Sequence, residues 1–281
     1  MNKYYCFLAG LPDISFDDGK LSYSLSDFIA DLDSSLSASD RKLMRLFRLK
    51  YDNENLLAYL NNKEATLNPL GNYTEDQFEQ AILSIREEDP FPKKELPTYL
   101  LKYLKEYVNE ELAGKGLSNE DYLSSLYYDY ASTTSNRFVR EWFNLNLNIG
   151  NILSAFAARK MGWDLDKVVV GNNDVAKIIR ANNTRDLGLT DELDYFETLV
   201  RLSEEKNLFE SERKVDLLKW DWLEEKTLFI YFSFENVFSY LLKLEMIERW
   251  LQLSKETGEQ MFRSLITQMK ESVKLSEEFY Q

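Results

Sequence analysis

From Glu235 to Thr257 the apolar positions Val237, Tyr240, Leu244, Ile247 and Leu251 fall at alternating spacings of three and four. That period puts them on one narrow helical face. Leu241, Leu242, Trp250 and Leu253 widen the face into a stripe, while Lys243, Glu245, Glu248, Arg249 and Lys255 mostly lie elsewhere. Gly258 stands where a helix of this kind ends. A helix so apolar on one side needs several neighbours, which predicts further helices laid around it. A second long stripe runs through Phe138, Trp142, Leu145, Ile149, Ile152 and Phe156, with Gly162 and Trp163 at its end.

The remaining segments are read from caps and breakers. Residues 3–11, KYYCFLAGL, suit a short strand or an extended segment, and 12–20 read as a turn. Ser24 or Ser26 caps a helix through Leu32. Ser39 caps one from Asp40 to about Lys50, and a second follows over 54–61. Asn68-Pro69-Leu70-Gly71-Asn72 is a turn cluster. Thr74 with Gln77 forms a capping-box pattern ahead of Phe78, Ile82 and Ile85. EEDPFP at 87–92 breaks the pattern and marks a boundary between lobes at 1–92 and 93–281. No proline follows Pro97, so nothing of that kind interrupts helix in the second lobe. Pro97 opens one helix, and Ser118 with Asp121 caps the next. The stretch 164–170 reads as a strand or extended turn. Helices are expected over 173–180, 191–206, 210–226 and 260–279, with 228–234, LFIYFSF, as a buried connector or helix start. Asn144, Asn146, Asn148 and Asn151 are poor helix formers, and hydrogen bonding across a helix junction accounts for them better than a polar groove. The class is all-α, in elongated multi-helix bundle lobes.

Composition narrows the chemistry. Hydrophobic residues make up 44% and charged residues 29%, which describes a folded soluble chain. Net charge is −14: up to Tyr130 there are 14 basic and 23 acidic residues, and beyond it 20 and 25. Neither part carries the concentrated basic footprint that a nucleic acid backbone or an anionic membrane needs. The single cysteine, Cys6, allows no internal disulfide, and no segment reads as a signal peptide or membrane span, which points to the cytoplasm.

There is no histidine. That removes histidine-based nucleophile systems and the usual zinc and iron sites. Glycine-rich phosphate loops are absent too. Glu245 and Glu248, Asp164 and Asp166, and Asn172 to Asp174 match no metal pattern, and Asp221 has no second carboxylate beside it. No catalytic, cofactor-binding or metal residue is assigned. A carboxylate-dependent enzyme and an unrelated helical scaffold stand as alternatives to a non-catalytic component of larger machinery. In this acidic chain Arg41, Arg45 and Arg48 share one helical face, with Lys42 and Lys50 nearby. They are the candidate contact for an acidic partner surface.

Two stretches carry a family resemblance. Phe143-Asn144-Leu145-Asn146-Leu147-Asn148-Ile149 through Gly162 is one; Val237 to Arg249, with Tyr240, Leu241, Lys243, Glu245 and Glu248, is the other. Over roughly residues 138–270, the chain resembles the C-type central-stalk component of the bacterial and archaeal V/A-type ATPases, whose eukaryotic counterpart is the d-type component. The arginine expected soon after the Asn-Leu pair is missing, with Arg159 standing later. The resemblance implies a non-catalytic central-stalk socket with no cofactor. Its partners would be the membrane rotor ring and the central shaft of a proton- or sodium-translocating ATPase. The protein would then sit on the inner face of the cell membrane only through that complex, with Arg41, Arg45 and Arg48 as a rim contact.

Overall fold

A computed structural model describes residues 4–87, 96–182 and 184–253. Among them every regular element is helical: α1 (Tyr5–Ala9), α2 (Leu25–Ser35), α3 (Ala38–Asn61), α4 (Glu75–Arg86), α5 (Thr98–Val108), α6 (Asn119–Ala131), α7 (Arg137–Met161), α8 (Asp174–Ala181), α9 (Phe196–Ser203), α10 (Leu208–Thr227) and α11 (Phe234–Gln252). The chain divides into two units, one of residues 1–35 with 223–281, the other of 36–222. The boundary expected at 92/93 falls outside the described residues. On either side of it α4 and α5 pack together within the second unit. The helix expected over 260–279 also lies outside the described residues.

In the first unit α11 packs on α2. Its stripe is buried at Val237, Leu241, Leu244 and Ile247. Tyr240 stacks on Phe28 at 5.2 Å and donates its hydroxyl to the Pro12 carbonyl at 3.0 Å. Residues 5–9 are helical rather than extended. The Leu8 N–H closes on the Tyr4 carbonyl at 2.9 Å, and Phe7 packs against Phe28. In so short a run, alternation and helical spacing look alike. Of the 228–234 run, Leu228, Phe229 and Tyr231 are exposed, Phe229 at 86%, while Phe234 is buried and starts α11. Composition could not separate a buried apolar run from an exposed one.

The second unit is built on α3 and α7. One 24-residue helix replaces the two expected over 40–61, and its N-cap is Ser37, which accepts from the Asp40 N–H at 3.2 Å. Asp52, Asn53 and Asn55 are buried in it. These residues favour turns when they bond their own backbone, but here they bond elsewhere, and the helix runs through. The cap sites at Thr74 and Ser118 form as the sequence predicts, and Asn173, expected as the first residue of its helix, caps α8 instead. Gly162, at φ 70°, closes α7. Residues 165–167 make a 3-10 turn capped by Asp164, not a strand. Around α6, Tyr127 meets Tyr99 and, edge-on, Phe143, so much of the aromatic content fills the interior.

A repeat joins α3 to α7. Asn55-Leu56-Leu57-Ala58 and Asn151-Ile152-Leu153-Ser154 occupy matching places. The Asn55 amide accepts from the Asn68 N–H at 2.7 Å and donates to the Asn68 carbonyl at 3.0 Å. The Asn151 amide does the same to Val170, at 2.9 and 2.8 Å. A glycine and an asparagine follow in each loop. Asn72 donates its N–H and its side-chain N–H to the Asp52 carboxylate, both at 2.6 Å. Asn172 donates the same two groups to Asp129, at 3.0 and 2.6 Å. An arginine then holds the loop carbonyls. Arg48 donates to Leu70 and Gly71 at 2.7 and 2.8 Å. Arg180 donates to Val169 and Gly171 at 2.7 and 2.9 Å. Each loop ends at the cap of a short helix, α4 or α8. A related run, Asn236-Val237-Phe238-Ser239, opens α11, where Asn236 accepts from the Ser233 N–H.

Candidate functional site

The basic face of α3 resolves into three different environments. Arg48 is half-buried and committed to the Leu70 and Gly71 carbonyls, so it belongs to the fold. Arg41 is exposed and donates a long hydrogen bond to the Leu36 carbonyl at 3.5 Å. Arg45 is exposed and lines a cleft of about 570 Å³ together with Lys42. The three arginines share a helix face but not a surface role.

The cleft is walled by α3, by the turn before α4, by the start of α5 and by the α6–α7 turn. Tyr73 is placed there because Asp52 accepts its backbone N–H at 3.0 Å, turning the chain from the loop into α4. Tyr130 comes from the last turn of α6, and its ring lies 5.2 Å from that of Tyr99. Burial pushes the Tyr73 hydroxyl up to about 12, helped by the nearby Asp52 charge and opposed by Arg45. It is therefore a neutral donor at ordinary pH. Beneath it, burial raises the Asp52 carboxyl to about 6, against the pull of Asn72, the Tyr73 N–H and the Arg48 charge.

Sequence reasoning found Arg45 and Lys42 as part of a basic island but missed Tyr73, Thr98 and Tyr130. Those three come from separate segments, and no spacing rule brings them together. The asparagines of α7 mostly bond across a helix junction. Asn151 reaches Val170, Asn148 accepts from the Asn173 side chain at 2.7 Å, and Asn146 turns back to its own helix. Arg159 donates to the Asn182 carbonyl. Glu248 accepts from the Leu25 N–H, and Asp166 lies 3.9 Å from Arg180. Among the described residues, no group of three or more acidic or cysteine side chains converges as a metal site requires, and no helix is long and apolar enough to cross a membrane.

No curated protein and no solved structure matches the chain. A family model does match, over residues 1–273, and the chain belongs to that family, DUF2764, described as proteins of unknown function.

Proposed function

We propose that this DUF2764 protein is a non-catalytic central-stalk component of a V/A-type proton- or sodium-translocating ATPase. In this reading it is a socket that couples the shaft to the membrane rotor ring and hydrolyses nothing itself. It meets the membrane only through that complex, on the inner face. One observation carries the reading: the repeated clamp. α3 and α7 each grip both backbone groups of one loop residue, so the two loops are braced at matching points of the second unit. Backbone groups held in pairs leave little freedom for a lobe to yield under load. The two stretches that resemble the C-type stalk component fall on α7 and α11, the two longest apolar stripes of the sequence.

The test is a mild-detergent pull-down of tagged protein from its native membranes, with the co-purifying chains identified by mass spectrometry. Rotor-ring and shaft proteins in near-equal amounts with the tagged chain are expected. Recovery of the chain without any of them would overturn the reading. The rim contact is proposed at Arg41 and Arg45, because reversing Arg48 would also break its loop. The double variant R41E R45E should lose the co-purifying proteins while keeping its fold. Intact assembly would remove the rim assignment.

A further inference from the structure

We propose that the cleft beside α3 binds a small molecule bearing a phosphate monoester on an aromatic or apolar body, with the phosphate held by Lys42 and Arg45. This goes beyond the coupling role and does not depend on it. Lys42 and Arg45 stand three residues apart on α3, so both cations face the same space. Neither has an ion pair or a side-chain hydrogen bond among the described residues. The chain as a whole carries a net charge of −14, yet among the described residues no carboxylate lines the cleft with these two cations.

Tyr73, Thr98 and Tyr130 line the same space, and their hydroxyls make no hydrogen bond to other described residues. Two cations with neutral O–H donors around them suit a compact dianion. A phosphate monoester carries about −1.5 to −2 at neutral pH and presents three strong acceptor oxygens. Arginine supplies a planar fork for such oxygens, and lysine a point charge. The cleft, at about 570 Å³, lies well inside the size range of small-molecule sites. It has far more room than an inorganic anion fills. Leu46, Leu49 and Leu96 line part of the remainder beside the two tyrosine rings, which suits an apolar or aromatic body, and Ser39 with residues 133–135 completes the wall with hydroxyls.

The experiment is calorimetric titration of the full chain at low salt with phenyl phosphate, inorganic phosphate and phenylacetate. Phenyl phosphate should saturate a single site and bind about ten-fold or more tightly than either other probe. K42Q and R45Q should each weaken it by about ten-fold, and Y130F by a few-fold. Both cations are exposed and uncommitted, so neither Gln variant should shift the melting temperature, and that measurement separates lost binding from lost fold. Three outcomes would each overturn the proposal. They are no saturable heat with phenyl phosphate at millimolar concentration, binding unchanged in K42Q and R45Q, and phenylacetate binding as well as phenyl phosphate. If R45E abolished ATPase assembly while phenyl phosphate failed to bind, the coupling reading would stand and this one would fall.

Discussion

The two clamps of the second unit reach one geometry by different routes, and the differences show which parts of the device are fixed. In both, an asparagine on a long helix takes the N–H and the carbonyl of one loop residue. The partners around that core change. The carboxylate that receives the loop asparagine is Asp52, on α3 itself, in the first clamp, and Asp129, from α6, in the second. The arginine comes from the same helix as the clamp in one case, Arg48, and from the following helix in the other, Arg180. The position three residues before the clamp asparagine is Asp52 in α3 and Asn148 in α7. The amide pair is thus the common element, and the charges were placed to suit each setting.

Removing that element is the severest way to test the comparison. Asn55→Ala and Asn151→Ala each strip a loop residue of both backbone partners. An orphaned, partly buried polar group costs about 1–3 kcal/mol. Each variant should therefore lose about 2–4 kcal/mol in urea unfolding, and the two losses should be similar. A loss of a few tenths in one and several in the other would show that the clamps are not equivalent. The double variant tests coupling: additive losses would mean that the clamps act independently.

The second prediction exploits the unequal charges. Asp52 titrates in the fold at about 6, above its ordinary range, because it is buried. The folded form therefore holds this proton more tightly than the unfolded chain does. Stability from this group is present below about pH 4 and is lost as pH rises toward about 6, by up to about 3 kcal/mol. Other carboxylates also titrate in this window, so the quantity to measure is the difference between wild type and D52N. The variant should remove this fall and leave the rest of the profile in place. Asn72 can accommodate it: its side-chain oxygen is buried without a partner. Turning that amide over would present the oxygen to the new side-chain N–H. A D52N profile parallel to wild type between pH 4 and 6 would contradict the burial argument. Changing Asn148 should add no slope, since an amide does not titrate.

How much of this was legible in the sequence depends on distance along the chain. Thr74 with Gln77, Ser118 with Asp121 and the glycine ending α7 are all local, and all formed as the pattern predicts. The all-helical class followed from periodicity, which is also local. The clamps were visible only as asparagines badly suited to a helix. Their partners lie 13 and 19 residues away, and nothing in the spacing names Asn68 or Val170. Ser37 and Ser39 carry the same capping chemistry, so the choice of Ser37 rested on where α3 began. The spacing of Arg41, Arg45 and Arg48 puts them on one face of a helix, and α3 carries all three. Splitting that face into a structural arginine and one facing a cleft required knowing that the 68–73 loop returns to α3. The joining of residues 1–35 with 223 onward is the longest-range feature, and helical periodicity carries no information about it.

The glycines give a smaller and sharper contrast. A Cβ on Gly71 would lie 2.7 Å from the Asn55 side-chain nitrogen and 2.8 Å from an Asp52 oxygen, so the clamp itself occupies the space. Gly171 has φ +71°, and its Cβ would lie 2.9 Å from a Leu147 methyl. Gly71→Ala should cost about 1–3 kcal/mol by crowding. Gly171→Ala should cost about 1–2 kcal/mol for its conformation, before the leucine shifts. Asparagine tolerates positive φ better than alanine. Gly171→Asn should therefore recover part of the conformational loss, while Gly71→Asn recovers nothing. Thermal melts of the four variants decide it: recovery at both positions, or at neither, would break the distinction.

The arginines give the smallest effect and the finest discrimination. Arg48 uses two different nitrogens, Nε for the Leu70 carbonyl and Nη2 for the Gly71 carbonyl. Its grip depends on the spread of the guanidinium fork. Arg180 reaches the Val169 and Gly171 carbonyls through a single nitrogen, Nη2. A lysine ammonium is also a single nitrogen, with three donors that rotate freely. Lysine at 180 can in principle serve both carbonyls from one point, whereas lysine at 48 must give one of them up. R48K should therefore lose about 1 kcal/mol, one net hydrogen bond, while R180K stays close to wild type. Equal losses would mean that charge alone holds both loops. A larger loss for R180K would mean that its longer reach, rather than its fork, is what the second clamp needs.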